Sequence, residues 1–314
     1  MQWLSRTPNF NFMGHKWVAL AISGTLVLVS LVAFAVRGLN LGLDFTGGIL
    51  LEVEYGAPVE LEDVRRRLAA EGYEDAIVQT YGTTQNVMIR LPPPPEAAES
   101  AEAGAAVGNA VLESLQADGS DVRLLRTEVV GSQVGDDLTE QGGLAMLFAM
   151  LLTTVYIMLR FRWKFAVGAG VATVHDVIVT VGFFAVTGIT FDLTVLASVL
   201  AVIGYSLNDT IVVYDRIREN FRLLRRGSTE EIINKSVNQT LARTLMTGVT
   251  TLLVLAGLIF LGGETMFGFS IALIVGIVVG TLSSIYVASI IALLLDVSPV
   301  DLVPPKREAI DELP

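Results

Sequence analysis

The chain has 314 residues, 52% of them hydrophobic and 17% charged, with a formal net charge of −11. A mean hydropathy of +0.61 and a charged fraction well below the roughly 25% of an ordinary soluble domain point to a membrane protein. The absence of cysteine excludes a disulfide framework, thiolate chemistry and Cys-ligated zinc or iron–sulfur sites. The acidity is local: residues 37–141 hold 7 basic and 19 acidic residues, net −12, leaving 14 and 13, net +1, elsewhere. One acidic, water-facing domain is set into a nearly neutral apolar chain.

A helix rises about 1.5 Å per residue, so crossing a hydrocarbon core of about 30 Å takes about 20 apolar residues. After a leading segment, 1–16, the uncharged run 17–36 is predicted as the first span. Ala33-Phe34-Ala35 fits a signal-peptide cleavage pattern. The run nevertheless exceeds the usual h-region of about 7–15 residues, which favours a retained helix.

Residues 37–141 form the water-facing domain. The alternation around Glu52 and Glu54 predicts a strand over 49–55, and Leu61, Val64 and Leu68 predict a helix over 60–71 that stops at Gly72. Strands are predicted at 76–81 and 86–91, joined in hairpin fashion through Gly82-Thr83-Thr84. The proline run 92–95 is a stiff extended break, the Ala/Glu-rich segment 96–116 a second helix, and 122–130 a closing strand. The order βαββαβ is the ferredoxin-like α+β arrangement. No His falls inside this domain, and its scattered carboxylates read as a solvated surface rather than a catalytic set. Binding or relaying movement suits it better.

Five further spans follow at 142–159, 165–188, 193–214, about 241–263 and about 268–295. The last apolar stretch starts near Thr265 and is too long for one perpendicular crossing, so tilt or an interfacial start is expected. Segment 215–240 is a polar connection, in which Ser228-Thr229-Glu230-Glu231 forms a capping box opening a short amphipathic helix to about Val237. Residues 296–314 form a tail. Orientation follows from the basic residues of the short connections. Arg6 and Lys16 precede the first span; Arg160, Arg162 and Lys164 lie between the second and third. Arg216, Arg218, Arg222, Arg225, Arg226 and Lys235 lie between the fourth and fifth, and Lys306 and Arg307 follow the sixth. Both termini are therefore read as cytoplasmic and 37–141 as external. A nucleic-acid role for the arginine cluster lacks aromatic interleaving and a matching fold.

An ionisable group at membrane depth costs about 2.5–3.5 kcal/mol on insertion scales. His175 and Asp176 fall midway along the third span, Asp209 in the inner half of the fourth, and Arg243 at the inner end of the fifth. Ser206, Asn208 and Thr210 surround Asp209, while Thr240, Thr244 and Thr247 surround Arg243, so a polar seam through the bundle is expected. A carboxylate whose guanidinium partner comes and goes can take up and release a proton; a permanent Asp209–Arg243 pair would only staple two helices. Adjacent residues point about 100° apart on a helix, so His175 and Asp176 are expected to face different neighbours. Gly276 and Gly280 form a GxxxG for close packing within the bundle or against another subunit, and Gly168, Ala172 and Gly182 thin the third span.

Four ordered segments carry a family resemblance: GLDFTGG at 42–48, VHD at 174–176, GYSLNDTIVVYDRIREN at 204–220 and SVNQTLARTLMT at 236–247. Together they resemble the SecF family of the SecD–SecF protein-export complex, with matching order and spacing over nearly the whole chain. The resemblance implies six transmembrane helices of RND (resistance, nodulation, division) type, with a ferredoxin-like periplasmic domain between helices 1 and 2, in a bacterial inner membrane. It implies partnership with SecD and the SecYEG translocon, with YajC and YidC as further partners, and use of the proton-motive force to assist preprotein release after the SecA motor has acted. The family's proton-conducting Asp and Arg fall on Asp209 and Arg243, and its His-Asp pair places Asp176 in the same pathway. Asp44, with Gly47 and Gly48, reads as a structural turn or coupling element.

SecD's own intramembrane carboxylates are absent, so this chain alone is not expected to transport anything. A non-conducting scaffold linking SecD to the translocon and half of an RND-type proton-coupled exporter are the alternatives. No GxxxxGK[ST] nucleotide loop is present; neither enzyme activity nor cofactor nor metal is expected.

Overall fold

The apolar runs become six helices long and apolar enough to cross a membrane in a computed structural model that describes residues 8–92, 101–117, 120–224 and 227–298. Arg6, Arg225, Arg226, Lys306, Arg307, most of the proline run, the first residues of the Ala/Glu-rich helix and nearly all of the tail lie outside the described residues. The six long helices are α1 (Lys16–Arg37), α5 (Ser132–Arg160), α6 (Trp163–Thr187), α7 (Leu193–Leu223), α8 (Thr229–Leu261) and α9 (Glu264–Ser283). The last continues through a π-helical turn at Ser284–Ala288 into α10 (Ser289–Leu294).

Between α1 and α5 lie α2 (Leu43–Thr46), β1 (Gly48–Tyr55), α3 (Leu61–Ala70), β2 (Ile77–Tyr81), β3 (Thr83–Leu91), α4 (Ala101–Gln116) and β4 (Val122–Val130). The strands form one antiparallel sheet in the order β2-β3-β1-β4, the ferredoxin-like α+β arrangement. Period-two alternation puts Ile49, Leu51 and Val53 of β1 on the face covered by Val64 and Leu68 of α3 and Val111 and Leu115 of α4. The opposite face carries Glu52 and Glu128, both in reach of Arg126. The β2–β3 hairpin is tighter than expected. Tyr81 pairs directly with Thr83, and Gly82 alone makes the turn at φ 63°.

In the bundle, α6, α7 and α9 bury about half or more of their side chains, while α1, α5 and α8 form an exposed outer layer. Close approach at glycines sets this packing. A Cβ on Gly276 would overlap Val202, and one on Gly280 would lie 2.9 Å from Ser206 Cβ, so the GxxxG of α9 is spent on α7 of the same chain. In the same way Gly182 of α6 receives Ser30 of α1.

Three helices run beyond the apolar stretches that announce them. α5 starts at Ser132, ten residues before the predicted span, because Gly135 lets its first turns lie against the backbone of Phe45 and Gly47. α7 continues to Leu223 through a turn braced by Arg216–Glu219 and Arg218–Asp215 pairs. The predicted amphipathic helix after Ser228 does not end near Val237; it is the first part of one continuous α8, opened by the expected capping box. Two asparagines on this extension hold the N-terminal segment. Asn238 exchanges 2.8 Å hydrogen bonds with the Phe10 backbone in both directions, and Asn234 Oδ1 accepts from Met13 N at 3.1 Å.

Replacing Gly276 by Leu forces a side chain into Val202, and the expected cost is about 1–3 kcal/mol of stability. Gly257→Leu, where nothing lies within 4 Å of a Cβ, should stay within about 0.5 kcal/mol of the parent. Thermal unfolding of the purified variants in one detergent compares the two; equal losses would contradict the packing described.

Candidate functional site

Asp176 lies in the middle of α6 and is fully buried. Hydrocarbon offers no water, so a carboxylate there needs protein donors, and three converge on it. His175 Nδ1 is 2.8 Å from Oδ1; Ser206 Oγ of α7 and Ser283 Oγ of α9 donate to Oδ2 at 2.5 and 2.7 Å. The expectation that His175 and Asp176 face different neighbours is therefore corrected. Their backbone directions diverge, but the side chains bend together, and Asp176 reaches α7 and α9 as well. His175 Nε2 is buried without a hydrogen-bond partner among the described residues.

Hydroxyls extend this node along the α7–α9 seam. Ser284 Oγ lies 2.8 Å from Thr210 Oγ1 and donates to the Ser206 carbonyl at 3.3 Å. Tyr214 donates to the Ala288 carbonyl at 3.0 Å, and Ser289 Oγ to the Ser284 carbonyl at 3.2 Å. Both receiving carbonyls belong to the π-helical turn, where a widened ladder leaves acceptors to be satisfied from outside it.

Asp209 precedes Tyr214 by five residues on α7, about one turn and a half, yet its situation differs from that of Asp176. It is buried on α7, and its Oδ2 has no hydrogen-bond partner among the described residues. The charge acting on it is that of Arg243 on α8, but among the described residues no ion pair joins them. Arg243 is exposed on the bundle surface, midway along the continuous α8, just before the helix's long apolar stretch. Two further buried hydroxyls, on Thr180 and Tyr205, also lack partners among the described residues. The structure thus brings Asp176, His175, Ser206 and Thr210 together. Asn208 is exposed on α7, and Thr247 bonds only the Arg243 and Thr244 carbonyls of its own helix.

Asp44 lies at the end of the bundle that carries the sheet domain. Its Oδ2 accepts from Leu193 N at 3.0 Å, placing a carboxylate on the N-terminus of α7, where exposed N–H groups and the helix dipole favour it. Asp192 caps the same helix by accepting from Val195 N at 2.8 Å. Two backbone hydrogen bonds fasten the strip before α2 to the turn before α7, Gly42 N to Phe191 O and Phe191 N to Asn40 O, each 2.8 Å. Gly47 and Gly48 take φ of 66° and 115°, conformations that need glycine, and a Cβ on Gly47 would lie 2.9 Å from the Ser132 backbone. Arg90 of β3, which the sequence did not single out, donates to Leu41 O at 2.6 Å. Burial pushes its pKa down from the ordinary value, and the Asp44 carboxylate opposes that. Ser283 and Ser284 were also missed, their only signal being a pair of adjacent serines inside an apolar run; Tyr214 lies inside the 204–220 motif but was given no role.

Among the described residues no group of His, Asp and Glu is placed to hold a metal. The site belongs to a helical membrane protein with the Asp176 and Asp209 carboxylates buried in its bundle and one appended α+β domain. Residues 110–298 match the family described as protein export membrane protein SecD/SecF, C-terminal, and residues 32–59 match the SecD/SecF GG motif. A protein translocase subunit SecF from Pseudomonas aeruginosa is 48% identical over 97% of this chain and 97% of its own length. Its counterpart from Escherichia coli O157:H7 is 44% identical over 91% and 88%. Among solved structures, SecDF from Thermus thermophilus, described as a translocon-associated membrane protein, aligns with a TM-score of 0.83 at 36% identity, covering 94% of this chain. SecDF in a super-membrane-facing form aligns at 0.68 and 37% identity over 92%. The chain spans 39% of the length of either SecDF chain. It belongs to the SecF family of protein translocase subunits, which are membrane transport subunits and not enzymes.

Ser283→Ala deprives Asp176 of one of its three donors and should cost about 1–3 kcal/mol. Thr247→Val removes a hydroxyl bonded only within its helix and should cost less than about 0.5 kcal/mol. Thermal unfolding in detergent distinguishes them, and a Ser283→Ala variant as stable as the parent would show that Asp176 does not depend on that bond.

Proposed function

We propose that this chain works with SecD in a bacterial inner membrane, using the proton-motive force to assist preprotein export after SecA-driven passage through SecYEG. In this reading both termini are cytoplasmic and the ferredoxin-like domain is periplasmic. The observation that carries it is Asp209: a buried carboxylate without a hydrogen-bond partner at its Oδ2 among the described residues, near an arginine with which it makes no ion pair. In hydrocarbon a carboxylate that lacks hydrogen-bond donors must either bind a proton or gain a counter-charge, and the two are alternatives. Protonated Asp209 tolerates separation from Arg243; once ionised it draws α7 and α8 together. Alternation between these states, fed from the side of higher proton concentration, moves one helix against another.

The hydroxyl-bonded Asp176 and His175 are the second polar station of this pathway, with Ser206 shared between α6 and α7. Movement of α7 reaches the domain through its N-terminus, where Asp44 and the Gly42–Phe191 strip are fastened. The two SecDF comparisons support such mobility, since nearly equal identity goes with TM-scores of 0.83 and 0.68. A scaffold without proton traffic would leave the unpaired Asp209 without a use.

The test is preprotein export under an imposed proton gradient, in vesicles holding SecYEG, SecA, and this chain with its SecD. Asp209→Asn and Arg243→Met should each assemble normally and lose at least tenfold of the gradient-dependent export while keeping the ATP-driven part. Export at parental rates in both would make the pair structural and the subunit a scaffold. Gradient-driven efflux of a small molecule without preprotein would favour the exporter reading instead.

A further inference from the structure

We propose that a groove between α1 and α5 binds one acyl chain of a membrane phospholipid, whose phosphate is held by Arg37. This is separate from the proton seam and rests only on the chain being a membrane protein. The groove encloses about 480 Å³ and is lined by Phe34 of α1, Phe45 of α2, Gly143 and Met146 of α5, and Ile178 and Val181 of α6, among others.

Its walls are fixed from below. α1 is seated on α6 where Ser30 meets Gly182, and α5 is seated on α7 where a Cβ on Gly142 would lie 2.7 Å from Leu196 Cδ2. One residue on, nothing lies within 4 Å of where a Gly143 Cβ would be. The space is therefore held open by two tight contacts rather than left by loose packing, and a groove already formed costs its occupant little reorganisation.

The lining selects hydrocarbon. Its hydroxyls come from Ser30 and Thr139; Ser30 is buried against α6, and Thr139 Oγ1 is satisfied by the Gly135 carbonyl at 2.9 Å. A transmembrane helix of a partner is too large: at 10–12 Å across and 5.4 Å per turn it fills roughly 500 Å³ with each turn, so the groove would hold a single turn. An extended acyl chain fits the same space lengthwise. The rim supplies the complementary charge. Arg37 follows Phe34 by three residues, which puts it on the same face of α1 at the end nearer the sheet domain. It is exposed and donates through Nη1 to the Val186 carbonyl at 2.9 Å, and among the described residues no carboxylate pairs with it. The remaining donors of its planar fork suit a phosphate. An acyl chain in this position lies against Phe45, so the lipid would buttress the α2 turn that joins the domain to α5.

The complex of this chain with SecD is placed in phosphatidylethanolamine and phosphatidylglycerol vesicles doped with a phosphatidylglycerol carrying a diazirine on one acyl chain. After illumination, labelled peptides are mapped by mass spectrometry. Labelling should concentrate at least fivefold on Gly143–Met146 and Ile178–Val181 relative to Leu253 and Phe260, which are simply exposed on α8. Gly143→Trp, which fills the groove, should abolish the excess. Arg37→Gln, which leaves the groove intact, should lower it at least threefold, as should a diazirine diacylglycerol that lacks the phosphate. Groove labelling no stronger than that of Leu253 and Phe260, or crosslinks from the groove into another polypeptide, would overturn the proposal. Undiminished labelling of Arg37→Gln would overturn the phosphate contact.

Discussion

Nothing in this bundle weighs more than the cost of keeping a carboxylate charged where water is absent. The chain meets that constraint twice, on helices packed side by side, and resolves it differently each time. Asp176 is surrounded: three donors from α6, α7 and α9 turn a potential penalty into the hydrogen-bonded node that joins the central helices. Asp209 keeps a buried oxygen without a partner among the described residues, although a cation stands close enough to act on it. A protein has little use for such a deficit in a purely structural residue, and unsatisfied buried groups are often functional. The rest of the bundle follows from accommodating both. Gly280 lets α9 lie against Ser206, and the π-helical turn aims its carbonyls at Tyr214 and Ser289, so polar side chains share the interior with apolar ones.

α7 connects this chemistry to the domain. Its N-terminus is held by Asp192 and by Asp44, and Asp209 follows sixteen residues after Leu193, about 24 Å along a rigid helix. The glycines of the LDFTGG turn press the α2 backbone onto α5, and Arg90 reaches from the sheet to the Leu41 carbonyl. Few flexible links separate the sheet from the helix that carries Asp209. Displacing α7 along its axis would therefore load these contacts directly. The Asp176 carboxylate, with both oxygens hydrogen-bonded, is suited to remain fixed while α7 and α8 change their separation.

Much of this was legible in the sequence because it rests on periodicity and on charge. Spans of about 20 apolar residues and strands alternating around Glu52 are strong patterns, and they define the six helices and the ferredoxin-like domain. Charged residues inside apolar runs are equally conspicuous, which is why Asp176, Asp209 and Arg243 stood out. Helix ends were harder: hydropathy falls at the membrane surface, whereas a helix ends only where capping or a breaker ends it, so α7 and α8 continue past their apolar stretches. Serine partners were harder still. Ser283 and Ser284 read as neutral residues of a span, since a serine can satisfy itself on its own helix; only the fold reveals that they reach Asp176 and Thr210. The His175–Asp176 contact was misread because helix geometry fixes where Cβ points and leaves the rotamers free. Arg90 carried no signal at all, being one more arginine in an exposed-looking strand.

Proton binding at Asp209 is most directly observed by infrared difference spectroscopy of the SecD-containing complex in vesicles, recorded with and without an imposed proton gradient and with carbon-13-labelled aspartate. If Asp209 exchanges its proton as α7 and α8 move, the gradient produces a protonated-carboxyl band that shifts with the label and is missing in Asp209→Asn. A spectrum in which Asp209→Asn retains every gradient-dependent carboxyl band would contradict that role and leave Asp209 a structural residue.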